Sequence, residues 1–193
     1  NYFGQSLKIY QSYNLEQGVA ANLVNIGEVY RFLNKYEDAL NSYKEALSIY
    51  KKLNIHDGIA TSITNIGLVY QSLKKYDDAL NYHKEALRIY RELNVPQYIA
   101  MSLNNIGWVY QELGKPEDTL KYYEDALEIS RKLNISKDTA ITLHNIGSVY
   151  LSLNKYDKSL HYYEEALKIN RRLNLSKEIA MDLNQIGIVY SSI

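Results

Sequence analysis

Apolar residues recur along this chain at steps of three and four, in stripes that restart every 40 residues. In the first complete period Ala20, Leu23, Ile26, Gly27, Tyr30 and Leu33 trace one face of a helix. A second stripe follows at Ala39, Leu40, Tyr43, Ala46, Leu47, Tyr50 and Leu53. The spacing predicts a helix A over 18–33, a tight turn, and a helix B over 36–53, with the same pair over 58–93, 98–133 and 138–173. The repeat is also legible residue by residue. Asn25-Ile26-Gly27 with Val29-Tyr30 returns at Asn65, Asn105 and Asn145, and as Gln185-Ile186-Gly187 with Val189-Tyr190. A fixed period of this length means stacked supersecondary units.

The punctuation agrees with the pattern. Asn34, Gly114 and Asn154, with Lys74 as the departure, stand between A and B, where a helix ends in the left-handed conformation. After helix B, Asn54, Asn94, Asn134 and Asn174 each precede an apolar residue, which is the Schellman pattern. Ser136 and Ser176 are expected as N-caps of the following helix A. The glycines inside helix A (Gly27, Gly67, Gly107, Gly147, Gly187) each cost about 1 kcal/mol relative to alanine. The expected return is close backbone approach completed by Ala39, Ala46 and their equivalents, with the helix A tyrosines filling the space beside. Acids open helix B (Glu37-Asp38, Asp77-Asp78, Glu117-Asp118, Asp157), and bases close it (Lys51-Lys52, Arg91, Arg131-Lys132, Arg171-Arg172), in keeping with the helix dipole.

Leu23-x-x-Ile26-Gly27-x-x-Tyr30 followed by Ala39-x-x-x-Tyr43-x-x-Ala46 resembles the tetratricopeptide repeat, and does so in every period. Leu23, Ile63, Leu103 and Leu143 stand where that family usually has tryptophan, the closing proline is absent, and Thr119 and Ser159 replace the alanine that opens helix B. The lengthened repeat is similar to those of spindle-orientation adaptors, kinesin light chains and prokaryotic signalling proteins. The resemblance implies an all-α fold, a right-handed α-α superhelix (solenoid) of antiparallel helix pairs. By register, residues 1–14 are a helix B alone, with Phe3 at the place of Tyr43, and 178–193 a helix A alone. The expectation is one array of ten helices over 1–193: half a repeat, full repeats at 18–57, 58–97, 98–137 and 138–177, and half a repeat. Neither end carries the polar cap of a finished solenoid, so a piece of a longer array is expected.

Composition narrows the function classes. The 193 residues hold 22 basic and 22 acidic side chains, so no net field draws the chain to nucleic acid or an anionic membrane. No run of about 18 apolar residues is present, and Asn1-Tyr2-Phe3-Gly4 does not open like a signal peptide. Cysteine is absent, which excludes disulfides and thiolate metal sites and is compatible with a reducing compartment; the expected location is cytoplasmic. The four histidines (His56, His83, His144, His161) occupy four different repeat positions, and no metal-spaced or phosphate-loop motif occurs. The chain is expected to be no enzyme, with no cofactor and no metal.

The resemblance implies that helix A lines the concave groove. With Ala20 as position 1, positions 2, 5, 6, 9, 12 and 13 face it. Position 6 reads Asn25, Asn65, Asn105, Asn145 and Gln185. A carboxamide donates and accepts, so it can pair with a peptide backbone whatever the side chains; the related adaptors use asparagines this way. The alternative is that these amides hydrogen-bond neighbouring helices. Positions 2, 5 and 9 vary, as specificity positions should. Met101, Ile141, Asn104, His144, Leu68 and Trp108 are the groove candidates among them, and Trp108 with Leu68, Met101 and Ile141 is expected to form an apolar pocket. Trp108 packing on the next helix A is the alternative. Positions 2, 5 and 6 carry no base, whereas co-chaperone repeats that grip a C-terminal carboxylate need one there, so the resemblance does not imply a carboxylate clamp; Arg31 at position 12 is the one basic groove candidate. Two functions remain: a module binding an extended or partly helical peptide of a protein partner, or a structural spacer that self-associates end to end.

Overall fold

The computed structural model describes residues 2–12 and 15–193. Among them are ten helices and no strand: α1 (Tyr2–Ser12), α2 (Glu16–Phe32), α3 (Tyr36–Lys52), α4 (His56–Ser72), α5 (Tyr76–Glu92), α6 (Pro96–Glu112), α7 (Pro116–Lys132), α8 (Ser136–Ser152), α9 (Tyr156–Arg172) and α10 (Ser176–Ser191). Even-numbered helices from α2 are helix A; odd-numbered ones are helix B. Each helix A begins about two residues before the apolar stripe indicates, because a polar first turn lies outside the stripe. Tyr13, expected to continue the register of Leu53, lies outside the described residues.

The contacts divide the chain into two compact units, Asn1–Val95 and Pro96–Ile193. In the first, α2 packs on α1 and α3, and α4 on α3 and α5, with α2 also reaching α4. In the second, α6–α7 and α8–α9 are the tight pairs, α7 packs on α8 and α9 on α10, and α6 and α10 each reach α8. A core runs through each. Val19, Ala20, Leu23, Ala46 and Tyr50 bury one another in the first unit. Tyr123, Leu127, Leu143, Ile146, Val149 and Ile169 do so in the second.

The helix ends follow the asparagines. Asn34, Asn54, Asn94, Asn134, Asn154 and Asn174 have φ of 52–58°, Lys74 has 56° and Gly114 has 66°. The Lys35 amide donates to the Tyr30 carbonyl and the Asn34 amide to that of Arg31, the two bonds of a Schellman motif. Ile55 to Tyr50 and Asn54 to Lys51 repeat it after helix B. Ser136 and Ser176 are not caps. They are the first helical residues, the N-cap places are held by Ile135 and Leu175, and neither makes a side-chain cap bond. With three residues between helices, the apolar residue that closes one Schellman motif is itself the N-cap of the next helix, which leaves no place for a serine cap.

The glycines of helix A also differ from expectation. Gly27, Gly107 and Gly147 make room for the rings of Tyr43, Tyr123 and Tyr163, and Gly67 for His83; a Cβ at any of them would come within 3 Å of a ring carbon. The nearest neighbours are ring atoms rather than backbone, and Ala39 is buried in one cluster with Tyr43. Tyr30 and Tyr70 of helix A pack against the cluster of Ala39 and Tyr43, as expected. Tyr70, Tyr110 and Tyr150 stack on Tyr82, Tyr122 and Tyr162 of helix B, with centroids 5.3–5.4 Å apart.

Candidate functional site

Position 6 lies one residue before the buried Ile66, Ile106 and Ile146, so its side chain emerges at the edge of the buried stripe of helix A. Asn25 is exposed, and Asn65, Asn105, Asn145 and Gln185 are half-buried. None of the five amides makes a side-chain hydrogen bond among the described residues. Their donors and acceptors are therefore open along both units.

Position 5 behaves differently. The Asn104 amide donates to the Thr142 hydroxyl at 2.9 Å, joining α6 to α8. His144 Nδ1 lies 2.6 Å from Asp182 Oδ1, joining α8 to α10. Thr64 turns back to the Ala60 carbonyl of its own helix. Thr142 and Asp182 occupy position 3, where Asn22, Ser62 and Ser102 precede them, and all five are buried. A polar side chain at position 3 of every repeat, beside the leucine or isoleucine of position 4 that is buried at Leu23, Ile63, Leu103 and Leu143, is the sequence signal for this second row.

Asp182 is only 1% exposed, and Asn170 of α9 donates to its other oxygen at 2.8 Å. The carboxylate of α10 is thus held from α8 and α9 together, which meets the demand that a buried charge be hydrogen-bonded. The Tyr163 ring stands edge-on to the His144 ring, with centroids 5.1 Å apart, and burial pushes its phenol up to about 12. Above this cluster opens a pocket of about 120 Å³, lined by Ala140, Ile141, His144, Asn145, Met181 and Glu178 with Asn170 and Asp182. Three of the expected site residues (Ile141, His144, Asn145) meet here. Of the others, Met101 is exposed, Leu68 and Trp108 are half-buried, and Leu68 belongs to the first unit while Met101 and Trp108 belong to the second.

At position 12, Gln71 and Gln111 turn to the rings of helix B. Gln71 Oε1 accepts from His83 Nε2 at 3.1 Å, and Gln111 accepts from the Tyr123 hydroxyl at 3.1 Å. Arg31 lies beside Tyr43, whose phenol is raised by burial and lowered in part by that guanidinium. The expected groove base is therefore a neighbour of the core ring that faces Gly27. No helix among the described residues is long and apolar enough to cross a membrane, and no group of three or more His, Asp or Glu there could hold a metal ion.

The tetratricopeptide repeat model matches residues 1–52, 58–132, 98–172 and 138–193, and the chain belongs to that family. Its fold class is the all-α helix-pair solenoid. Among similar solved structures is BtubC (BKLC) from P. vanneervenii, with a TM-score of 0.87 and 20% identity over 98% of this chain and 81% of that one. A signal transduction ATPase with numerous domains and a tetratricopeptide repeat sensor, from Pyrococcus horikoshii, matches with 0.81 and 19% over 91% of this chain and 27% of that one. A Rap protein complexed with competence and sporulation factor matches with 0.77 and 22%, over 91% of this chain and 53% of that one. No curated protein matches this sequence.

Proposed function

We propose that this chain is a cytoplasmic, non-catalytic protein-interaction module that holds an extended or partly helical segment of a partner protein along the position 6 amides. The observation that carries this reading is that Asn25, Asn65, Asn105, Asn145 and Gln185 leave their amides unbonded among the described residues, while Asn22, Asn104, Thr142, His144 and Asp182 at positions 3 and 5 pair with neighbouring helices. Packed helices lie roughly 8–10 Å apart and an extended chain advances about 3.3 Å per residue. Within each unit, one amide would then meet the bound backbone at about every third residue. The Rap protein of similar fold was solved complexed with competence and sporulation factor, which is in keeping with a binding role.

The test is a displayed library of random peptides selected on the wild-type chain. Asn65→Ala combined with Asn105→Ala should abolish binding of the selected peptides and leave the melting temperature nearly unchanged. A large loss of stability with binding retained would make the row architectural and overturn the reading.

One observation favours self-association as a second reading. Gly187 has nothing within 4 Å of its would-be Cβ, whereas Gly27, Gly67, Gly107 and Gly147 each face a ring. Phe3, in the register of those rings, is 39% exposed. Each surface offers what the other receives.

A further inference from the structure

The pocket over Asp182 has a cause in the repeat register. Tyr50 and Tyr90 hold the place that Asn170 holds three and two periods later, with Ser130 between them. The Tyr50 ring fills the space against Gly58, and the Tyr90 hydroxyl lies 3.4 Å from Thr61 at position 2 of α4. Asn170 is too short to do either. It turns its amide to Asp182, and the volume a tyrosine ring would take is left as the pocket between α8, α9 and α10.

We infer that this pocket receives a lysine or arginine side chain of the bound segment, a proposal that rests on the groove reading above. Ala140, Ile141 and Met181 supply apolar walls suited to the hydrocarbon stem of such a side chain. Long cationic side chains bury the stem and keep the charged head near water. Glu178, half-buried at the pocket, makes no ion pair among the described residues and is placed to meet that head. Asp182 adds a second carboxylate below it, fixed by His144 and Asn170. Two carboxylates against one imidazole favour a cation. An acidic side chain would meet Glu178 as a like charge, and a purely apolar one would cover that carboxylate without a partner. Asn145 of the amide row lines the same pocket, so a backbone held by that amide would carry its side chain to the opening.

The experiment starts from peptides selected on the wild-type chain from the displayed random library, each resynthesised with its lysine or arginine replaced by norleucine. The replacement should weaken binding about fivefold, the order of a partly exposed ion pair. In Glu178→Gln the two peptides should bind alike. Asn170→Tyr, which restores the ring found at this register in α3 and α5, should also erase the preference for the basic residue; its melting curve shows that the chain is folded. If peptides bind with no preferred basic position, or if the preference survives Glu178→Gln, the pocket assignment fails while the groove reading stands. If no peptide of the library binds, both fail.

Discussion

At the scale of single residues, His83 is the odd member of a row of rings. Tyr43, Tyr123 and Tyr163 occupy the same place, and all four are fully buried against a helix A glycine. Burial lowers the His83 pKa from 6.5 to about 4. The folded state therefore resists a proton that the unfolded chain accepts below about pH 6.5. The stability contribution is complete above 6.5 and is lost as pH falls toward 4, by about 3 kcal/mol at the acid limit. Denaturant titrations from pH 7 to pH 4 should show this loss. His83→Tyr should remove it, since Gln71 stands where Gln111 accepts from Tyr123. Identical pH profiles for the two proteins would assign the acid sensitivity elsewhere.

Between elements, the helix A glycine is the point where a helix pair closes. Gly107→Ala would put a Cβ 2.7 Å from the Tyr123 ring, and the ring has no free space to retreat into because Tyr123 is fully buried. We expect a loss of about 1–3 kcal/mol, the range for overpacking. Gly187→Ala meets nothing within 4 Å and should gain about 1 kcal/mol of helix propensity. Thermal melts of the two variants should move in opposite directions. A shift of the same sign in both would show that propensity, not the ring, governs the position.

For the molecule as a whole, the unfilled Gly187 and the exposed Phe3 bear on assembly. A contact between one copy's α10 and the next copy's α1 is heterologous and does not close by itself. Sedimentation velocity over a concentration series should then show association that Gly187→Leu and Phe3→Ala each suppress. A strict monomer at high concentration, with no effect of either substitution, would sink the self-association reading and leave peptide binding alone.

Much of this protein was legible in the chain itself. The 40-residue period, the helix pairs and the left-handed asparagines all rest on local rules, because backbone preference and the 3.6-residue stripe act within one or two turns. The tertiary structure decided the partners. Gly27 faces a ring 16 residues on, Asn104 and His144 find position 3 of the next helix A 38 residues on, and Asn170 opens a pocket where Tyr50 fills one. Such pairings depend on how deeply one helix settles against the next and how far it is rotated about its axis. Spacing along the sequence places a side chain on a face; the packing of successive helices determines what that side chain meets.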